Sequence, residues 1–195
     1  MAKKELTKRQ LQAIETKNKI YNIAVNLMDK RGFNNITVEE ICTKAGVSVG
    51  TFYLYFKSKN NIFDEIYERA DDLFQNHVKS ALQEENSLDR IVEYFKHYGQ
   101  LNVDTGLETM QQLYTTQNKL FTKKGRYMQT LLQEIIKEGQ EKKEISTTMT
   151  PEEITDFLFI ANRGLVYDWC LHKGKYDLEE AMVKFTKRLI LLLKP

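Results

Sequence analysis

The sequence predicts an all-α fold in which an N-terminal three-helix helix-turn-helix domain is joined to a larger helical domain, about nine helices in total. Three observations predict it. Proline occurs only at Pro151 and Pro195, and glycine at nine positions in 195 residues, so long stretches run without a breaker. No segment alternates apolar and polar residues between hairpin turns, as half-buried strands would. Apolar residues instead recur at intervals of three and four along most of the chain, and a hydrophobic content of 42% is enough to bury a core.

The first helix is expected over residues 16–30, where Ile20, Ile23, Ala24, Leu27 and Met28 share a face and Gly32 provides the stop. The basic stretch before it, KKELTKRQ, reads as a frayed extension or an arm toward phosphate or a minor groove, disordered in the free protein. Thr37 and Glu40 form a capping box that opens a second helix. Val38, Ile41, Cys42 and Ala45 fall on one face of it, and Gly46 supplies the backbone freedom for a sharp turn. Ser48 then caps a third helix. On it Phe52 and Phe56 lie on one side, leaving Val49, Gly50, Thr51, Tyr53 and Tyr55 for other surfaces. The unit over residues 37–59 is therefore helix, turn, helix, a form suited to reading DNA.

A long helix follows over residues 59–83, carrying Ile62, Phe63, Ile66, Tyr67, Ala70, Leu73, Phe74, His77 and Val78. Further helices are expected over residues 88–98, 107–120 and 124–142. Thr150, Pro151 and Glu153 combine a cap, a first-position proline and a capping-box glutamate, opening a helix that runs to about residue 172 and is closed by Gly174. It is apolar on more than one side, so one face must meet something besides its own core. Asp177 with Glu180 opens the last helix, striped by Leu178, Ala181, Met182, Phe185, Leu189 and Leu192.

Charge is divided unevenly. The net charge is +2, but residues 1–60 hold 11 Lys/Arg against 5 Asp/Glu, leaving 18 against 22 for the remainder. A basic segment surrounding a helix-turn-helix is the electrostatic footprint of a nucleic-acid module. The longest aliphatic run, residues 189–193, is far too short to span a bilayer, and the N-terminus lacks an apolar signal core, so a cytoplasmic location with no membrane partner is expected. Cys42 and Cys170 sit in helical apolar patterns and read as reduced, buried thiols. His77, His97 and His172 lack metal-ligand spacing, and no nucleophile elbow, P-loop or dinucleotide fingerprint occurs, so neither a metal, a cofactor nor an enzyme is expected.

Residues 37–59 read T-V-x-x-I-x-x-x-A-G-V-S-x-G-T-F-Y-x-Y-F-x-S-K, and with Gly32-Phe33 before them this pattern resembles the N-terminal DNA-binding domain of the TetR family of bacterial transcriptional regulators. The resemblance covers residues 20–66 and leaves the rest of the chain unmatched by any motif. Cys42, where the family commonly has alanine, and Asn60, often acidic, depart from the pattern without disturbing it. The resemblance implies a DNA-binding domain in residues 1–59 and a helical effector-binding and dimerisation domain in residues 60–195. It implies phosphate contacts from Thr37, Tyr53, Tyr55 and Lys59, and Ser48, Val49, Gly50 and Thr51 turned toward the major groove.

Small side chains at those four positions can meet a thymine methyl or a base-edge acceptor, but specify little alone. Specificity then falls to DNA shape and to the spacing of two copies on an inverted-repeat operator of double-stranded DNA. A small, hydrophobic effector is expected among Phe74, His77, Tyr94, Tyr98, Tyr114, Tyr127 and Trp169. The homodimer interface is expected at Ile154, Leu158, Ala161, Gly164, Leu165, Met182, Phe185 and Leu189. The resulting function is a ligand-responsive regulator, most often a repressor in this family. The alternative is a small-molecule or lipid-binding helical protein whose helix-turn-helix no longer binds DNA.

Overall fold

The computed structural model describes residues 6–115 and 118–195, and every regular element among them is helical. The chain divides into two compact units, Met1–Ile66 and Tyr67–Pro195.

In the first unit α1 (Lys8–Arg31) begins eight residues before the expected start. Thr7 caps it, its hydroxyl accepting from the Gln10 amide while the Gln10 side chain accepts from the Thr7 amide at 2.9 Å. This capping box precedes any apolar periodicity, which is why the pattern of buried residues placed the start too late. Residues 3–5 of the expected arm lie outside the described residues. Gly32, at φ 77°, ends the helix, and its amide donates to the Met28 carbonyl. A 3₁₀ turn (Phe33–Asn35) leads to α2 (Val38–Ala45), capped by the Thr37 hydroxyl at 3.1 Å from the Glu40 amide. The expected capping box is only half formed, because the Glu40 carboxylate pairs with Arg31 instead of returning to Thr37. Gly46 closes α2 in the left-handed conformation, at φ 64°. α3 (Val49–Tyr55) follows from its Ser48 cap, and Phe52 and Phe56 complete a core with Ile20, Ala24, Met28, Ile41 and Ile62.

α4 (Asn61–Leu73) continues through a π-helical turn (Phe74–Val78) into one last α-helical turn (Lys79–Ala81). The remaining helices are α5 (Ser87–Thr105), α6 (Leu107–Leu113), α7 (Tyr127–Glu141), α8 (Pro151–Leu171) and α9 (Leu178–Leu189), the last running into a 3₁₀ turn (Ile190–Leu193). α6 stops well short of residue 120: Tyr114 leaves the helical region, and the Asn118 side chain donates to the Leu113 carbonyl at 2.8 Å, taking up an end group a longer helix would have used. Residues 116–117 of that expected helix lie outside the described residues.

In the second unit α5 packs on α7 and α9, and α8 packs on α7 and α9. Gly99 allows the α5–α9 approach: a Cβ there would lie 3.3 Å from Met182 Cβ and 3.4 Å from Glu179 Cα. Between α8 and α9 the buried Thr186 hydroxyl donates to Asn162 Oδ1 at 3.0 Å, so a polar pair inside the core is satisfied. Past the end of α7 the chain turns back, and the Ser146 amide donates to the Leu193 carbonyl at 2.7 Å.

Gly139 on α7 is where this packing leaves no space. A Cβ there would come within 2.6 Å of Ile145 Cδ1 and 2.7 Å of Ser87 Cβ. Gly139→Ala is expected to lower stability by about 1–3 kcal/mol despite its better helix propensity, read from urea unfolding. A second expectation concerns acid. Glu138 bonds both Lys142 and Arg90, which hold its carboxyl down at about 2, against an ordinary value of 4.5. A depressed carboxyl stabilises the fold above its unfolded-state pKa, and that contribution is lost as pH falls from 4.5 toward 2. Glu138→Gln should therefore lower Tm at pH 7, where the carboxylate's contribution is complete, and flatten the fall of Tm across the acid interval.

Candidate nucleic-acid interface and effector-binding core

A seven-residue helix cannot hold itself together, so α3 owes its existence to Phe52 being wholly buried. That anchor fixes which residues look outward. Val49 and Gly50 are exposed, Thr51 is half-buried, Tyr53 is exposed, and Leu54 is 81% exposed. Ser48 Oγ caps the Thr51 amide at 3.0 Å and lies 2.9 Å from Thr51 Oγ1, so these hydroxyls also serve one another. Leu54 is the residue the sequence reading missed. It stands three and four positions after Thr51 and Gly50, on their face of the helix, out of phase with Phe52 and Phe56. A leucine so exposed on a surface of glycine and hydroxyls extends that face with a group that suits a thymine methyl.

The four expected phosphate contacts separate on inspection. Thr37 is exposed, and since its oxygen accepts from Glu40, its proton remains available to donate. Tyr53 is exposed, whereas Tyr55 is half-buried against the unit's core. Lys59 turns inward. Its ammonium donates to the carbonyls of Phe33 and Ile36, both at 2.7 Å, and stands 4.2 Å from the centre of the Phe33 ring. Burial pushes its pKa down. Lys59 thus acts first as a clamp on the segment between α1 and α2, while Lys57, two residues earlier, is exposed.

The second unit holds a continuous aromatic core. Phe74 packs on Tyr94 at 4.8 Å, Tyr94 on Phe95 at 5.1 Å, and Phe95 on Phe159 at 5.6 Å. Tyr98 extends it, 5.8 Å from Phe159, with its hydroxyl 3.3 Å from that of Tyr114. Tyr94 spends its hydroxyl on the Met128 carbonyl at 2.8 Å. Burial is the main cause raising the pKa of Tyr94, Tyr98 and Tyr114, so all three stay protonated near neutral pH. Asp71 of α4 ties this core together, accepting from the Met128 amide at 3.1 Å and from Arg126 Nε at 3.0 Å.

Three residues expected in the effector site are not in this cluster. His77 is exposed, because the π turn aims it away from the buried side on which Phe74 and Val78 lie. Tyr127 is half-buried at the first position of α7, beside Lys79. Trp169 is buried against Gly174, with Nε1 donating to the Tyr176 carbonyl at 3.1 Å, and so fastens the turn after α8.

Of the residues expected at a dimer interface, Ile154, Leu158 and Met182 are at most 1% exposed and belong to the protomer's own core. Ala161, Leu165, Phe185 and Leu189 are half-buried, and Gly164 is exposed, with nothing within 4 Å of where a Cβ would stand. The outward apolar face of α8 is a different stripe: Ile160, Tyr167 and Leu171, 49–66% exposed, spaced with Gly164 at 160, 164, 167 and 171. Both stripes have helical spacing, so the sequence could not say which one faces in. Among the described residues no helix is long and apolar enough to cross a membrane.

Comparison with known proteins places the chain by sequence and by fold. Residues 20–66 match the family described as bacterial regulatory proteins, tetR family, and residues 63–192 match the C-terminal region of YsiA-like protein. The fatty acid metabolism regulator protein of Bacillus subtilis (strain 168) is 27% identical over 168 residues, covering 82% of this chain and 86% of its own. Two solved structures share the fold. The fatty acid degradation regulator FadR of Bacillus halodurans superposes with a TM-score of 0.73 at 23% identity, covering 96% of this chain and 97% of its own. FadR of Bacillus subtilis in complex with stearoyl-CoA superposes with a TM-score of 0.73 at 22% identity, covering 89% and 97%.

The clamp formed by Lys59 can be separated from any charge effect. Lys59→Met strands the Phe33 and Ile36 carbonyls and should lower stability by about 2 kcal/mol in urea unfolding. Lys57→Met should change stability by less than about 0.5 kcal/mol, as an exposed substitution away from such contacts does.

Proposed function

Because this chain belongs to the TetR family of bacterial transcriptional regulators, we propose that it is a homodimeric repressor that leaves its operator when a long-chain fatty acyl effector binds. Residues 1–59 read the DNA, and residues 60–195 hold the effector and the dimer contact. One observation carries the reading: α3 is anchored by a fully buried Phe52 and turns Val49, Gly50, Thr51, Tyr53 and Leu54 outward from a basic segment. A short helix presented in this way fits the major groove, with hydroxyls and exposed lysines on the flanking phosphates.

The acyl effector is suggested by two things together. The relatives are named for fatty acid regulation, one being described with stearoyl-CoA, and the second unit carries an aromatic core suited to a methylene chain. The exposed stripe of Ile160, Gly164, Tyr167 and Leu171 suits close packing against a second copy. The two α3 helices of a dimer would read half-sites about one turn of DNA apart, ~34–36 Å, on an inverted repeat. α4 begins two residues after Lys59 and, with the π turn that follows it, carries Tyr67, Asp71 and Phe74 into the aromatic core, so an effector that prefers one position of α4 shifts the population away from the DNA-binding state.

Selection from random-sequence DNA, followed by fluorescence anisotropy on the selected site, tests the reading. Wild type should select an inverted repeat, lose affinity steeply with salt, and release the site on addition of palmitoyl-CoA but not of coenzyme A. Leu54→Glu should weaken binding at least tenfold. A protein that binds palmitoyl-CoA but selects no repeat would establish the lipid-binding alternative in place of the regulator.

A further inference from the structure

Within the aromatic core of the second unit lies a buried hydroxyl that the fold itself does not use, beside two more phenols and a guanidinium. Tyr67, on α4, is nine-tenths buried, and its hydroxyl has no hydrogen-bond partner among the described residues. Its ring packs edge-on against Phe121 at 5.4 Å, and Phe121 in turn packs against Tyr114 at 4.7 Å. The Tyr114 hydroxyl meets that of Tyr98 at 3.3 Å, a long contact for two hydroxyls. Arg163 of α8 stands over Phe121, 5.3 Å from its centre, and donates through Nη1 to the Phe121 carbonyl and through Nε to the Phe159 carbonyl, both at 3.0 Å. Two phenols and a guanidinium therefore meet on a single phenylalanine, and a third phenol, Tyr98, joins them through the Tyr114 hydroxyl.

A buried phenol without a partner has given up its hydration for nothing, and chains seldom keep one for packing, since phenylalanine fills the same space. Tyr67 is also kept as a donor: burial first, then the neighbouring Tyr98, push its pKa far above the ordinary tyrosine value. Guanidinium donates only, and a protonated phenol has one proton to give. The complement of this set is an oxygen acceptor with apolar substance behind it. Tyr67, Tyr98 and Arg163 sit on long helices, whereas Phe121 sits on a three-residue 3₁₀ turn and is only half-buried, which makes it the ring most easily displaced by a ligand.

We propose that the hydroxyls of Tyr67, Tyr98 and Tyr114 and the Arg163 guanidinium are the polar end of the effector site, and that they bind the acyl oxygen of a long-chain ligand. The methylene chain then runs along the adjoining rings of Phe95 and Phe159. This rests on the acyl-effector reading above and adds the atom that is recognised. The same oxygen chemistry is offered by the thioester carbonyl of an acyl-CoA and by the carboxylate of a free fatty acid.

Binding to the full chain is measured by calorimetry with three probes: palmitoyl-CoA, palmitate, and S-hexadecyl-CoA, a thioether that lacks the acyl oxygen. Tyr67→Phe is expected to weaken palmitoyl-CoA about five- to tenfold, to leave S-hexadecyl-CoA unchanged, and to leave the Tm of the ligand-free protein equal or higher, since an unpaired hydroxyl is removed. Tyr114→Phe should weaken palmitoyl-CoA in the same selective way, giving a second route should the first variant fold poorly. A matching loss for palmitate assigns the site to either acyl oxygen, while no binding of palmitate by wild type assigns it to the thioester carbonyl, and both support the proposal. It is overturned, with the acyl-effector reading intact, if the variants bind palmitoyl-CoA like wild type or lose affinity equally for S-hexadecyl-CoA. If wild type binds none of the three probes, the acyl-effector reading fails and the proposal fails with it.

Discussion

The surface offered for DNA recognition rests on the burial of two phenylalanines. Phe52 and Phe56, 0% and 2% exposed, are what a helix of seven residues gains from its neighbours in exchange for the entropy of ordering. Their rings pack tilted at 5.4 Å, and the residues between and before them have no choice of direction. Val49, Tyr53 and Leu54 face water because Phe52 cannot. The Ser48 cap and the left-handed Gly46 set where α3 begins and at what angle, and the Lys59 clamp fixes the chain beyond it.

Much of the fold was legible from local rules, and the misses follow from where those rules end. Gly46, Ser48, and the set Thr150, Pro151 and Glu153 announce their helix ends through the residue itself and its near neighbours, and each end stands where it was read. The start of α1 was missed because Thr7 and Gln10 cap a segment with no apolar stripe. The end of α6 was missed because Asn118, beyond the helix, takes one of its carbonyls. Glu40 illustrates a competition the sequence cannot resolve: both its own cap and Arg31, nine residues earlier, were available, and Arg31 won.

For the candidate sites the sequence gives each residue's helix and phase but not its surroundings. Spacing marks which residues share a helix face, but not which face the rest of the protein covers. Ile154, Leu158 and Met182 are therefore interior, and Ile160, Tyr167 and Leu171 exterior, for reasons that exist only after α8 and α9 have packed on α5 and α7. His77, Tyr127 and Trp169 stand apart from the aromatic cluster for a related reason, since composition nominates aromatic residues without placing them. Leu54 had a signal, its phase relative to Phe52, which pointed outward even though its side chain is apolar.

The π-helical turn Phe74–Val78 gives α4 a property that a uniform helix lacks. The Lys79 amide donates to the Phe74 carbonyl, five residues back, so one extra residue is housed in the ladder. Each residue of an α-helix advances about 100° around the axis, and a single extra residue is thus a fixed twist stored between the two ends of α4. The faces of α4 before Phe74 and after Val78 are therefore out of the phase a uniform helix would give them, so one continuous rod presents two differently aimed surfaces.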